Sequence, residues 1–314
     1  MAGGQERELR RRIRSIQSTK KITRAMQLIA ASRIARAQRA ITAARPYVEK
    51  MAEVVANLAD TPDAGTHPLF RTPDAVHQAA VIVIAADRGL AGGYNSSVLR
   101  SAERLMADHR RQGHDVLLVS SGRKAASFFR FRREEAAESV VGVSERPTFD
   151  AARKLVAAVM EPFTEGDVDQ IQMVYTRFVS MGRQELVTRQ LVPLEDPGGG
   201  DDAERHSVDY EYEPDPVQIL DELLPRWLEA EVYAALLEGA ASEQVARQRA
   251  MKAATDNADD LTKTLTRVMN RARQDTITSE IMEIVGGAEG LRTSAGDGAG
   301  TFNELYVSPD AASA

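Results

Sequence analysis

Between Pro225 and Gly286 the chain carries no proline and a single glycine, Gly239. The residues between are mainly Ala, Leu, Arg, Gln, Glu and Met, all good helix formers. Roughly 60 residues at ~1.5 Å each would make a rod of ~90 Å, longer than an ordinary domain is wide. Its apolar positions are Leu223, Trp227, Ala230, Ala234, Leu237 and Ala241. The seam then turns polar and small at Gln244, Gln248 and Thr255, and recovers at Leu265 and Met269. A helix with so thin an apolar stripe is not stable alone and needs a partner.

The N-terminal segment supplies one. Ala30, Ile34, Ala37, Ile41, Ala44, Val48, Met51, Val55 and Leu58 step by four and three alternately. That 3.5-residue period is the seam of a coiled coil. Leu9, Ile13 and Ile16 keep similar spacing upstream, and Ile22, Met26 and Ile29 read as a continuation in shifted phase. Pro46 predicts a kink, because a helix-interior proline removes one bond and clashes with the preceding turn.

The middle reads differently. "AAVIVIAA" (79–86), "DVLLVSS" (115–121), "QIQMVYTRF" (170–178), "ELVTRQLVPL" (185–194) and "HSVDYEYEP" (206–214) are strand candidates. Helical stretches separate the first of them, and the last ones follow each other directly, which predicts a mixed sheet with a parallel part. "DTPDAGTHP" (60–68) reads as a linker and "EDPGGGDDAER" (195–205) as a mobile turn. The expected fold class is therefore α/β: a long antiparallel coiled coil of N- and C-terminal helices with an inserted Rossmann-like α/β domain. The boundaries are 1–60 for the first helix, 75–212 for the α/β domain and 215–288 for the second helix. Residues 289–314 are expected to form a disordered tail.

Charge is unevenly placed. Residues 1–50 hold 13 Lys and Arg against Glu6, Glu8 and Glu49, about +10, so the remainder of the chain carries about −16 of the net −6. A basic arm on an acidic protein points to an acidic partner surface. A transit peptide is also Arg-rich, but a cleavable leader would not merge into a coiled-coil seam. The arm "RRRIRSIQSTKK" (10–21) could meet nucleic-acid phosphates, yet it holds no aromatic residue for stacking. Its positive charge wraps the helix instead of marking one membrane-facing side. No apolar run is long enough to span a bilayer, and there is no cysteine.

"DRGLAGGYN" (87–95) follows the strand "VIVI" (81–84) and precedes a helix. Strand, glycine turn and helix can cradle a phosphate. The turn matches neither G-x-G-x-x-G nor the lysine-bearing phosphate loop, so it reads as a tight structural turn, with Asn95 or Ser96 able to cap the helix. Asp256, Asp259 and Asp260 could hold a cation, but on an exposed helix they read as a solvated face. The histidines at 67, 77, 109, 114 and 206 form no H-E-x-x-H, and no G-x-S-x-G elbow is present. The residues themselves indicate no catalytic, cofactor or metal site.

Three stretches resemble one family. "IRSIQSTKKITRAMQLIAASRIARAQ" (13–38) is similar to the opening helix of the gamma subunit of the F-type ATP synthase, a bacterial one. "DRGLAGGYN" resembles that family's glycine turn, which usually has cysteine where this chain has Ala91. "MKAATDNADDLTKTLTRVMNRARQDTITSEIMEIVGGAEGL" (251–291) resembles its closing helix. The resemblance implies a non-catalytic rotor that couples proton-driven rotation to ATP synthesis on the beta subunits. Its implied partners are three alpha and three beta subunits, the epsilon subunit and the membrane-embedded c-ring, on the cytoplasmic side of a bacterial plasma membrane. It implies beta-subunit contacts at Lys20, Lys21, Arg24, Met26, Arg247, Arg273, Gln274, Thr278 and Glu280. It implies no cofactor, no metal and no nucleic acid. The alternative is a nucleotide- or nucleic-acid-binding coiled-coil protein. The segment 292–314 runs past the family's usual end.

Overall fold

A computed structural model describes residues 2–59, 73, 75–193 and 216–299. Ten elements follow in order: α1 (Ala2–Ala59), β1 (Gln78–Ile84), α2 (Tyr94–Arg111), β2 (Asp115–Ser121), α3 (Arg123–Phe131), β3 (Glu138–Val140), α4 (Phe149–Glu165), β4 (Gln170–Phe178), β5 (Gln184–Val192) and α5 (Pro216–Ala299). The chain divides into two compact units, Thr23–Ala253 and the pairing of Met1–Ile22 with Ala254–Ala314.

The larger unit is built on one five-stranded sheet ordered β3-β2-β1-β4-β5. The first four strands are parallel and β5 runs antiparallel to β4. Helices α2, α3 and α4 make the parallel crossovers, and a short turn suffices for the antiparallel pair. β1 lies at the centre and is apolar on both faces, as a strand covered on both sides must be. Val81 and Val83 point to a layer of α2 and α3, where they meet Val98, Ala102, Met106, Ala125 and Phe129. Ala80, Ile82 and Ile84 point to the other face. There Leu155 and Val159 of α4, Val55 and Leu58 of α1, and Leu220, Leu224, Trp227 and Leu228 of α5 close over them. Each such fully buried side chain stabilises the unit by about 1.5–3 kcal/mol.

α1 keeps a single heptad phase. Its least exposed positions are Leu9, Ile13, Ile16, Lys20, Thr23, Gln27, Ala30, Ile34 and on to Leu58, always four and three apart. The phase shift expected from Ile22, Met26 and Ile29 is therefore wrong. Lys20, Thr23 and Gln27 hold the seam, while Ile22, Leu28 and Ile29 face outward at 59%, 60% and 52% exposure. Register followed the partner helix instead of local hydrophobicity. Pro46 lies inside α1 without ending it.

Antiparallel pairing of the two helices is visible in the smaller unit. Lys20 Nζ forms an ion pair with Asp259, and Gln5 shares a surface hollow with Val268, Ala272 and Ser279. In this unit the seam of α5 runs through Thr255, Ala258, Thr262, Leu265, Met269, Ala272 and Thr276. α5 then continues to Ala299, past the expected end at 288, so residues 289–299 are helical and the expected tail boundary moves. From Ile277 to Arg292 every residue is exposed.

Short β3 was absent from the strand candidates. The proposed linker at 60–68, the turn at 195–205, the strand at 206–214 and residues 300–314 lie outside the described residues.

Candidate functional site

The glycine turn occupies the ends of β1 and α2 and is held by side chains on three sides. Asp87 accepts hydrogen bonds through Oδ1 from the backbone N–H of Arg123 (3.0 Å) and Gly142 (2.8 Å), and through Oδ2 from that of Ser144 (3.0 Å). Burial alone would push the Asp87 carboxyl up, but these N–H groups and the Ser144 hydroxyl outweigh it and hold the carboxyl below its usual range. Asp87 thus sits on the amide of the first residue of α3, the position an anion would take at a helix N-terminus. A phosphate there would meet a fixed carboxylate. The turn is filled by the chain's own charge, and the phosphate-cradle alternative loses its geometry.

Asn95 does not cap its own helix. Its Oδ1 accepts from Ala86 N (2.9 Å) and its Nδ2 donates to the Arg88 carbonyl, pinning the turn at both ends. The N-cap of α2 is Gly93, with no side-chain bond; Ser96 Oγ donates to the Gly93 carbonyl. Behind the turn Gly122 adopts φ +94°, and a Cβ there would lie 2.2 Å from the Ala85 carbonyl oxygen. Only glycine fits.

Two hydrogen bonds fasten the turn to α5 within the larger unit. Tyr94 donates its hydroxyl to the Gly239 carbonyl (3.1 Å). Gly239 is the one glycine of α5 before Gly286, and a Cβ there would crowd Ile84 and the Tyr94 hydroxyl, both at 3.3 Å. Arg247 Nη2 donates to the Gly89 carbonyl (3.1 Å) and to Glu243 Oε1 (2.5 Å). Burial raises the Glu243 carboxyl pKa, against the opposing pull of Arg247. Further along α5, burial also raises Glu231, which pairs with Arg189, and Glu238. Burial pushes the Tyr175 phenol up to about 12.

Arg247 was expected at a partner subunit's surface. It is only 5% exposed, and its Nη2 donates both to Glu243 and to the turn, tying them together inside this chain. Of the other expected contact residues, Lys21 and Arg24 are exposed on α1, Lys20 and Met26 are half-buried, and Arg273, Gln274, Thr278 and Glu280 are exposed on α5. Sequence reasoning missed Ile22, Leu28 and Ile29 as outward groups. The signal was available in the heptad itself, continued upstream through polar Lys20, Thr23 and Gln27. It also missed the exposed apolar run Ile277, Ile281, Met282, Ile284, Val285 and Leu291 at the end of α5.

The carboxylate cluster holds no cation geometry: Asp259 pairs with Lys20 and Asp260 with Lys263. Among the described residues no three His, Cys, Asp or Glu side chains converge on a metal position, and no helix is long and apolar enough to cross a membrane. The arrangement offers locks and docking faces.

A family model described as ATP synthase matches residues 5–291. The ATP synthase gamma chain of Parafrankia sp. (strain EAN1pec) is 49% identical over 302 residues, covering 93% of this chain and 99% of that one. That of Kineococcus radiotolerans is 48% identical over 298 residues, covering 93% and 98%. Among solved structures, a chain of the Euglena gracilis mitochondrial ATP synthase (OSCP, F1 and c-ring, rotational state 3) superposes with a TM-score of 0.63 at 17% identity, covering 98% of this chain and 99% of that chain. A chain of the Tetrahymena thermophila mitochondrial ATP synthase central stalk and c-ring gives a TM-score of 0.55 at 22% identity, covering 74% and 99%.

Proposed function

Because the chain belongs to the family of ATP synthase gamma chains, we propose that it is the central rotor shaft of a proton-driven ATP synthase, without chemistry of its own. The observation that carries this is the far end of α5. From Ile277 to Leu291 that helix shows six large apolar side chains to solvent. Exposed apolar stripes of that length mark a surface that is covered in the working assembly. A ring of alpha and beta subunits around the shaft covers it.

The beta subunits meet Lys20, Lys21, Arg24 and Met26 on α1 and Arg273, Gln274, Thr278 and Glu280 on α5. The outward Ile22, Leu28 and Ile29 lie among the basic side chains of α1 and extend that face. Arg247, which the resemblance carries into the same set, is held against Glu243 and the glycine turn. The α/β domain serves the epsilon subunit and the c-ring, placing the protein peripherally on the cytoplasmic side of a bacterial plasma membrane.

Affinity purification of the tagged chain from its native membranes tests this. Alpha and beta subunits in equal amounts, with epsilon, are expected. Recovery of the chain with nucleic acid, or without alpha and beta subunits, would overturn the reading.

A further inference from the structure

His109 lies in the last turn of α2 and His114 immediately before β2. Their Nδ1 atoms are 3.2 Å apart. On its other side His109 Nε2 stands 2.7 Å from Gln172 Oε1 on β4. An amide oxygen only accepts, so His109 Nε2 carries the hydrogen. The lone pair of His109 Nδ1 then accepts from His114 Nδ1–H, and an ion bound between the two nitrogens replaces that hydrogen, His114 carrying its own on Nε2 instead. This is the arrangement that orients metal-binding histidines: one nitrogen on the ion, the other donating to a carbonyl oxygen that fixes the tautomer and the ring.

The spacing fits a shared ion. Two nitrogens bound to one tetrahedral zinc at ~2.0–2.1 Å lie about 3.3–3.4 Å apart. The two Nδ1 atoms already stand within a few tenths of an ångström of that separation. His109 is only 6% exposed and held in place, while His114 is partly exposed and gives the approach.

We propose that His109 and His114 form a binding site for a divalent transition metal of the zinc and copper type. Gln172 is its positioning residue. Two protein nitrogens leave the remaining positions to water, so the ion is exchangeable, and copper binds more tightly than zinc by the general order of affinities. A bound ion ties the end of α2 to the start of β2, and through Gln172 to β4. It braces the α/β domain at the end of the sheet opposite the glycine turn.

The test titrates the full chain with zinc sulfate, reading heat and the thermal unfolding midpoint, for the native sequence, His114→Ala and His77→Ala. His77 is exposed and outside the pair. The expected result is saturable one-to-one binding and a rise in the midpoint that EDTA reverses. His114→Ala weakens binding about tenfold or more and removes the rise, while His77→Ala keeps both. No saturable zinc binding by the native chain, or unchanged binding in His114→Ala, overturns the proposal. The second outcome would assign the zinc to other histidines of the chain.

Discussion

Removing one partner of the Glu243–Arg247 pair should cost far more than removing both. The two side chains are 1% and 6% exposed and 2.5 Å apart. Arg247→Met keeps the bulk of the side chain but leaves Glu243 buried beside Tyr94 with no cation. Breaking a buried pair in this way costs about 3–5 kcal/mol. The lost bond to the Gly89 carbonyl adds about 1 kcal/mol. Glu243→Gln combined with Arg247→Met should recover most of the loss, because no charge then remains buried. The deficit should also depend on pH. Burial raises the folded-state pKa of Glu243, and without Arg247 it rises further. A carboxyl with a raised folded pKa costs stability once pH climbs above its unfolded value, and the cost grows until the folded pKa is passed. The Arg247→Met deficit should thus be largest near pH 8 and shrink toward about pH 5. Urea unfolding of the full chain at both pH values measures it. A deficit below about 1 kcal/mol, or one equal at both pH values, would refute the claim that this pair is a buried, mutually dependent lock.

Other expectations follow from single contacts. Gly122→Ala should destabilise the α/β domain by more than about 2 kcal/mol, since both its φ of +94° and the Ala85 carbonyl at 2.2 Å reject a side chain; a neutral thermal unfolding scan would contradict this. Tyr94→Phe should cost about 1 kcal/mol through the lost bond to the Gly239 carbonyl, measured by the same scan. Ile34→Ala, at a seam position 1% exposed, should cost about 2–5 kcal/mol by denaturant titration. Replacing Lys20, Lys21 and Arg24 together with alanine should leave the chain folded, since exposed pairs are worth only ~0.2–1 kcal/mol each. It should lower ATP synthesis by the assembled complex, and unchanged synthesis at low and high salt would make the patch a solvated face.

The helices were legible because a repeat of four and three needs no tertiary information, and a proline-free stretch of this length has few alternatives to a helix. β1, β2, β4 and β5 were legible as apolar runs between helical stretches. β3 was not, because three residues give no period to count. The α1 error at Ile22 and Ile29 has the same root as its remedy. Local hydrophobicity argued for a new phase, while the partner helix kept the old one and accepted Lys20, Thr23 and Gln27 in the seam. Arg247 showed the limit for site residues. Its position on the closing helix was readable, but whether it faces outward or toward the glycine turn depended on where the sheet packs, and no spacing in the helix records that. The structural role of Gly239 was similarly hidden until Tyr94 and Ile84 were seen against it.

If this chain turns inside a ring of other subunits, a probe fixed to it must turn as well. The chain has no cysteine, so Ser127→Cys, on an exposed position of α3, gives it a single thiol for a probe. The complex of this chain with its alpha and beta subunits is fixed to glass through the beta subunits, and the probe is followed while ATP is supplied. The expected result is rotation of the probe in one direction, at a rate that follows ATP hydrolysis. A stationary probe on a complex that hydrolyses ATP at full rate would contradict it.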